Sequence, residues 1–496
     1  MRENFTEPRR QSIIAILLII QKSLKVIVRQ IWPFILIFFV GGSASSYKGM
    51  ILPVIIALSL FSTFWAVLSY FKYYFYIQDD ELIIEKGVLS KTKLNIPFDR
   101  IQTVNFQQNI IHQLFNVKKL EIDTAGSAGN EFSMEALPVD VADDLRDVIL
   151  ERKSQLVQAD AITPEKIENA VVETESLILD LSFIDLLKVG VSQNHFRSGG
   201  IILAGMVYFI SQLSDLGLDV EGEIGHYIDN GAFPGLTILV SLIVVFLIVS
   251  FLISLTRTVF TYYNLNLWRV GNKYKLEKGL FNRRETSAVD QKIQIVEWSN
   301  NPLKKIFNYF DVRLKQASSV QVRSKQSIVI PGCHPEHVEY LKSNWLGALD
   351  HQNLDPQGVS IHFFIRKLMY RLLFAIILCV AVFKFYPSFI IIPILLIPYQ
   401  IIYSWYSYKK KSFALNADVL YVGGGIFGDR HALMPLYKIQ SVSMNQSPYE
   451  SRRQLSTVRV MTASGSMIIP YIETDLATKI HDYLMYSIES SRKDWM

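Results

Sequence analysis

Cysteine is nearly missing from this chain. Cys333 and Cys379 are the two in 496 residues, too few for a disulfide framework. Charge is sparse as well: 19% of the residues are Asp, Glu, Lys or Arg, against 50% hydrophobic. A soluble chain has nowhere to place so much apolar surface, so membrane segments are the first expectation. Catalytic signatures are lacking too. There is no serine nucleophile elbow, no HExxH and no dinucleotide fingerprint, and neither an enzyme nor a cofactor is expected. The glycine run GGGIFG at 423–428 is not followed by Lys-Ser/Thr, so it reads as a wide strand turn rather than a phosphate loop. Cys333, His334 and His337 are of metal-binding type, but three such residues in one short stretch with no second cluster read as loop and helix-cap residues. Arg9 and Arg10 precede the first apolar run without a small-residue cleavage site, and no cleaved signal peptide is expected.

What is abundant is apolar sequence in long runs. Six stretches qualify as spans: Ile31–Tyr47, Ile51–Phe71, Gly200–Leu218, Gly235–Leu255, Leu372–Phe385 and Ser388–Trp405. The weakest, LLFAIILCVAVFKF, contains Lys384. A core helix is its alternative reading, and the span reading places that lysine at the interface. The runs pair into three hairpins, which puts the intervening polar blocks on one side. Lys and Arg are missing from Ser211–Phe233, which carries Asp215, Asp219, Glu221, Glu223 and Asp229. Basic residues crowd the opposite flanks: Arg9, Arg10, Lys22, Lys25, Arg29, Lys72, Arg197, Arg257, Arg366, Lys367, Arg371 and Lys409–Lys411. The positive-inside rule then makes the polar blocks and both termini cytoplasmic, in a multi-pass protein of the cell membrane.

Those polar blocks repeat. With Gly87, Gly279 and Gly425 aligned, a basic residue stands thirteen positions on each time, at Arg100, Lys292 and Lys438. Ile-Gln follows at Ile101-Gln102, Ile293-Gln294 and Ile439-Gln440, and an alanine in a small-residue run comes later, at Ala125, Ala317 and Ala463. Ungapped matches over such a span mark a tandem repeat. Each unit reads as short Ile, Val and Leu-rich strands closed by turns, and the aligned glycine suits a turn that needs positive φ. A helix follows each set. In the third unit Leu476, Ile480, Leu484 and Ile488 form one apolar stripe, fit to plug an open barrel.

The unit G-x-L … IP-x-x-[RK]-IQ-x-V … F … L … TAG resembles bacterial pleckstrin-homology-like (PH-like) membrane proteins of the YdbS/YdbT type. The first copy carries Gly87, Leu89, Ile96-Pro97, Arg100-Ile101-Gln102, Val104, Phe115, Leu120 and Thr124-Ala125-Gly126. The second keeps Gly279, Lys292-Ile293-Gln294, Val296 and Phe307 but has Ala288-Val289 for Ile-Pro. The third keeps Met434-Pro435, Lys438-Ile439-Gln440 and Val442, with Arg453 in place of the phenylalanine. The resemblance covers nearly the whole chain and implies a fold rather than a reaction. The expected fold class is membrane α-helical hairpins plus α+β: three repeated PH-like split β-barrels, each capped by a C-terminal helix, with six transmembrane helices. The expected layout begins with an interfacial amphipathic helix over 1–30 and a first hairpin over 31–71, followed by a PH-like domain over 72–157. A linker and interfacial helix over 158–198 leads to a second hairpin over 199–256 with an outer loop at 218–234. A second PH-like domain spans 257–349, a linker 350–371, a third hairpin 372–406 and the last PH-like domain 407–490.

The repeat-equivalent residues Arg100, Lys292 and Lys438, with Gln102, Gln294 and Gln440, are the candidate contacts. The basic ones fit a lipid phosphate or a carboxylate on another protein, although capping or pairing within the fold is the favoured reading. Arg9, Arg10, Lys409, Lys410 and Lys411 form a membrane-surface set, each attracting anionic headgroups by roughly 1 kcal/mol; topology alone also accounts for them. Apart from Asp215, near the end of the run Gly200–Leu218, the apolar runs contain no acidic residue, and they contain no Arg, which argues against an ion-coupled transporter. The leading expectation is a scaffold for membrane protein assembly. Its partners are the phospholipid bilayer, a smaller membrane protein of the same family and further copies of itself, with no nucleic acid and no small-molecule substrate. Anionic-lipid handling at the inner leaflet and envelope defence against membrane-active peptides, through the acidic outer loop, are the alternatives.

Overall fold

The architecture follows from a computed structural model, which describes residues 5–23, 25–26, 48–124, 130–160, 175–193, 232–317, 327–385 and 391–490. In chain order the helices are α1 (Ile14–Ser23), α2 (Lys48–Phe71), α3 (Ile110–Leu114), α4 (Val139–Asp160), α5 (Phe183–Val191), α6 (Ala232–Tyr262), α7 (Pro302–Ile306), α8 (Pro335–Leu346), α9 (His362–Phe385), α10 (Ile391–Lys409), α11 (Pro448–Ser451) and α12 (Thr474–Ser490). The first copy of the repeat contributes strands β1 (Tyr74–Gln78), β2 (Glu81–Lys86), β3 (Thr92–Pro97), β4 (Ile101–Gln108), β5 (Val117–Thr124) and β6 (Asn130–Pro138). A strand β7 (Glu175–Asp180) precedes the second copy, which holds β8 (Asn266–Val270), β9 (Lys273–Lys278), β10 (Arg283–Val289), β11 (Ile293–Ser299), β12 (Phe310–Gln316) and β13 (Ser327–Cys333). A two-residue strand β14 (Gln357–Gly358) precedes the third: β15 (Ser412–Leu415), β16 (Val419–Gly425), β17 (Asp429–Pro435), β18 (Ser441–Asn445), β19 (Leu455–Thr462) and β20 (Gly465–Glu473).

The chain divides into two compact units. One holds Met1–Ser176 with Arg269–Val289, the other Leu177–Trp268 with Asp290–Met496. In the first unit, β1–β3 form one antiparallel sheet and β4–β6 belong to another. Alternation puts Phe75, Ile77, Leu82, Ile84 and Ile96 of one sheet against Ile101, Val104, Leu120, Ile122, Phe132 and Met134 of the other. Ala142, Leu145 and Ile149 of α4 close the end of that core. The β1–β2 hairpin turns on Asp79 and Asp80, whose φ of 50° and 59° suit a two-residue turn that follows the strand twist. The N-terminal segment packs on this module: Arg9 and Phe75 exchange backbone hydrogen bonds of 2.9 Å, and Ala15 and Leu18 are buried against Tyr70, Val117 and Ala136.

In the second unit the third copy builds the same arrangement. Phe413, Leu420 and Met434 from β15–β17 meet Val458, Val460, Met467 and Ile469 from β19–β20. The expected stripe on α12 faces this core, with Ile480 and Leu484 buried and Leu476 and Ile488 packed at its margin. The second copy is shared between the units: β9 and β10 belong to the first, and β11–β13 with α8 to the second.

The three copies match in fine detail. Gly87, Gly279 and Gly425 all have positive φ, of 121°, 107° and 125°. A Cβ at each would lie 1.9, 2.2 and 2.3 Å from the carbonyl oxygen three residues on, so this turn requires glycine. After the fourth strand of each copy comes a single helical turn (α3, α7, α11), capped by the side chain of Asn109, Asn301 or Ser447. Each turn ends in a left-handed residue: Asn116, Asn308 and Gln454.

The six expected transmembrane helices are corrected. Among the described residues one helix is long and apolar enough to cross a membrane, Val244–Tyr262 within α6. Within α2, the part from Ser59 to Phe71 is apolar. The expected spans over 31–47 and 200–218 lie outside the described residues. In α9, Arg371 and Lys384 bracket the apolar run, and α10 is interrupted by Pro398 and Gln400, so hydrophobic composition over-read the length of these segments. The bulk of the described chain is β-sheet modules rather than membrane hairpins.

Candidate functional site

The feature the sequence did not announce is how successive copies join. β4 pairs antiparallel with β10, so strands of the first and second copies continue one sheet, β6-β5-β4-β10-β9. In the second unit β11 pairs with β17, giving β13-β12-β11-β17-β16-β15-β14. In both junctions the fourth strand of one copy meets the third strand of the next. The register is also the same. Phe106 stands opposite Glu285 and Gln107 opposite Arg284; at the equivalent positions Trp298 stands opposite His431 and Ser299 opposite Arg430.

At the first junction Phe106 is 4% exposed, with the Lys118 ammonium 4.9 Å and the Arg146 guanidinium 5.1 Å from its ring. Burial lifts the Glu285 carboxyl above its ordinary range, while Lys275 and Arg146 pull against that shift. Arg146 reaches Glu285 at 3.2 Å, and Asn105 Oδ1 accepts from the backbone N–H of Ser287 at 2.9 Å. At the second junction the Trp298 ring stacks on His431 with centroids 5.2 Å apart, and Lys342 lies 5.1 Å from the indole. His431 Nδ1 and Tyr421 OH are hydrogen-bonded at 2.7 Å. Burial pushes the His431 pKa below its ordinary value. Glu297, which burial would raise, is held low by Lys315 and by Arg430 at 3.1 Å. Asn300 and Asp429 finish the ladder: the Asn300 N–H donates to the Asp429 carbonyl at 2.9 Å, and Asn300 Oδ1 accepts from the Asp429 N–H at 2.7 Å. Gly428 is what lets the chains approach, since a Cβ there would lie 2.1 Å from the Asn300 carbonyl oxygen.

The repeat-equivalent basic residues end a short 3-10 turn in each copy, yet they do not share an environment. Arg100 is exposed, Lys292 is 7% exposed and Lys438 is 1% exposed. Lys438 Nζ donates to the backbone carbonyl of Gln291 in the preceding copy. Burial pushes its pKa down to about 8, partly offset by Asp290. Gln294 is buried and Gln440 exposed, with the Gln440 N–H donating to the Met461 carbonyl at 2.9 Å; the side chain of Gln102 falls outside the described residues. Of these positions, Lys438 is the one seen to reach across a junction to the copy before it.

The membrane-surface set is dispersed. Arg10 caps the Tyr74 ring at 5.0 Å, and Arg9 lies 5.4 Å from that of Phe5. Lys409 sits 5.4 Å from the Trp405 ring, and Lys410 pairs with Asp429 at 2.8 Å. Burial, with Lys367 and Arg430 close by, pushes Lys411 down to about 8. Cys333 is buried, which pushes its thiol pKa up, and His337 Nδ1 accepts from the His334 N–H as part of a helix cap. The acidic residues of the expected outer loop, Asp215, Asp219, Glu221, Glu223 and Asp229, lie outside the described residues. A polar hollow of about 990 Å³ in the third module is lined by Gln446, Arg453, Glu473 and Asp475 among others; Arg453 there occupies the repeat position filled by Phe115 and Phe307 in the other copies.

The bacterial PH domain family matches this chain three times, over residues 27–153, 218–348 and 368–488. The chain is a bacterial PH domain protein. The threefold match agrees with the resemblance seen in the repeat unit, and the strand-sharing junctions are therefore contacts between successive bacterial PH domains. The transmembrane protein YdbT of Bacillus subtilis (strain 168) is 21% identical over 476 residues, covering 93% of this chain and 94% of that protein. The similarity runs through all three bacterial PH domains and the segments between them. Phe106 and Trp298, the aromatic residues of the two junctions, stand at the same repeat position, six beyond the basic residue, which Met444 fills in the third copy.

Proposed function

We propose that this bacterial PH domain protein is a membrane-attached scaffold without a reaction of its own, assembling membrane proteins by pairing strand edges. The observation that carries the reading is the repeated junction, in which the chain joins its own copies edge to edge in one register used twice. Backbone pairing of this kind supplies affinity, and the flanking side chains supply selectivity. A smaller membrane protein of the same family and further copies of this chain are the partners it suits. Attachment to the bilayer is supported by the apolar helix Val244–Tyr262 and by exposed apolar side chains such as Phe374 and Val380 on α9. The naming of the Bacillus relative as a transmembrane protein supports it too. The modules are assigned to the cytoplasmic side, supported by the Lys409–Lys411 run and by the lack of Lys and Arg over 211–233. Affinity purification of the tagged full-length chain from solubilised membranes tests the scaffold. It should recover a membrane protein in stable proportion; a strictly monomeric chain with nothing co-purifying would refute the reading.

Handling of anionic lipid at the inner leaflet is a second reading. It is favoured by the cationic group formed by Lys367, Lys411 and Arg430 beside the aromatic end of α10. The variant Lys409→Glu/Lys411→Glu should then bind anionic vesicles less tightly and with a shallower salt dependence. Equal binding by variant and parent removes this reading.

A further inference from the structure

Among the described residues, two junctions consume two pairs of edges and leave one edge of each kind unused. Every copy has a third-strand edge and a fourth-strand edge. The second copy uses its third-strand edge on β10 and its fourth-strand edge on β11. Among the described residues the first copy joins through β4 alone, and the third copy through β17 alone. Among the described residues β3 pairs with β2 alone and β18 with β19 alone. An open edge presents a row of backbone N–H and C=O groups ready for another strand. Residues on both strands are exposed: Thr92, Lys93 and Asn95 on β3, and Ser441, Met444 and Asn445 on β18, beside which α12 packs with the Thr478 hydroxyl 4.0 Å from the Met444 sulfur.

We propose that β18 of one chain pairs with β3 of a second copy of the same chain, repeating between molecules the junction used twice within each, so that the protein forms head-to-tail assemblies. This inference rests on the scaffold reading and names its partner. The repeat spacing also fixes the register. The position held by Phe106 and Trp298 is Met444 in the third copy, and the position held by Glu285 and His431 is Lys93 in the first. Met444 therefore stands opposite Lys93, Asn445 opposite Thr92 and Ser443 opposite Leu94. A second contact follows from the same logic. Lys438 donates to the carbonyl of Gln291 in the preceding copy; the equivalent pair between molecules is Arg100 and the carbonyl of Tyr437. Arg100 is the exposed member of its set, as expected of a residue whose preceding copy belongs to another molecule. The two surfaces differ, so the contact is heterologous and adds chains in a row rather than closing a symmetric pair.

The test uses the full chain in native membranes with Cys333 and Cys379 replaced by Ser. Met444→Cys on a chain with one tag and Lys93→Cys on a chain with another are co-expressed and mildly oxidised. The expected product is a disulfide-linked species carrying both tags. Two chains both bearing Met444→Cys, or a pair combining Ser443→Cys with Lys93→Cys, should give little, because those side chains do not meet. Without added cysteines, Met444→Lys should lower co-purification of two tagged copies by about fivefold through like charges across the pair, and Lys93→Glu in the other copy should restore it. Equal linkage from the mismatched pairs, or no linkage at all, overturns the proposal. So does a chain carrying both Met444→Cys and Lys93→Cys that closes on itself as a monomer. If linkage fails while the purified chain still recovers a different membrane protein, this inference falls and the scaffold reading stands; if both fail, both fall.

Discussion

Adding one methyl group at Gly428 should separate the second and third copies of the repeat. A Cβ there would sit 2.1 Å from the Asn300 carbonyl oxygen and 2.8 Å from the Asn301 Cα. Both are backbone atoms, so no side chain can rotate away, and relief needs a shift of roughly 1 Å or more between β11 and the start of β17. That shift breaks the hydrogen bonds from Asn300 N–H to the Asp429 carbonyl and from Asp429 N–H to Asn300 Oδ1, now 2.9 and 2.7 Å. Two such bonds are worth about 1–2 kcal/mol together, and the steric shift adds about 1–3 kcal/mol, giving about 2–5 kcal/mol in all. Gly424→Ala is the control. It lies on the neighbouring strand, and its nearest obstacle is the Lys411 Cδ at 3.8 Å, so its effect should stay within about 0.5 kcal/mol. Scanning calorimetry of the detergent-solubilised chain should show the transition of the second unit lowered by about 5–10 °C in Gly428→Ala and unmoved in Gly424→Ala. A Gly428→Ala protein that melts with its parent, or two variants that fall equally, would refute the close-approach argument.

Two further outcomes follow from the same junctions. Phe106→Ala removes a buried ring flanked by two cations and should cost the first unit about 3–4 kcal/mol in urea unfolding, with Phe106→Leu costing much less; equal losses would mean that burial of the ring matters little. Lys438 titrates at about 8 in the folded protein against an ordinary 10.5, so between those values the unfolded chain binds more protons and stability rises with pH. Lys411 and Lys278 are pushed down in the same way, so Lys438→Met should reduce that rise by about 1–3 kcal/mol rather than abolish it, in denaturation measured at pH 8 and pH 10.5; a variant that keeps the full rise would assign it to the other lysines.

The repeat was legible because it was written in local requirements. A turn that admits only glycine leaves Gly87, Gly279 and Gly425 in register, and a helix that plugs a barrel leaves the Leu476, Ile480, Leu484 and Ile488 stripe. The junctions were not legible, because an edge strand and a shared strand have the same local pattern. Nothing near Phe106 or Trp298 says that the strand opposite belongs to the next copy. The basic residues at Arg100, Lys292 and Lys438 looked equivalent, yet their surroundings differ: Lys438 reaches the Gln291 carbonyl of the copy before it, Lys292 is buried, and Arg100 is exposed. The helical hairpins were over-read for a different reason: hydropathy counts apolar residues, while Arg371, Lys384 and Pro398 limit how long an uninterrupted apolar helix can run. The turns after the fourth strands were missed although Asn109, Asn301 and Ser447 are strong caps, because a single helical turn leaves no periodicity to detect.

The boundary between the two compact units falls between Val289 and Asp290, inside the middle copy. The block that duplication multiplied and the block that holds together are thus half a period out of phase. Excising the middle copy as a whole would remove β10 from beside β4 and β11 from beside β17, leaving each neighbour with its own core and one more open edge.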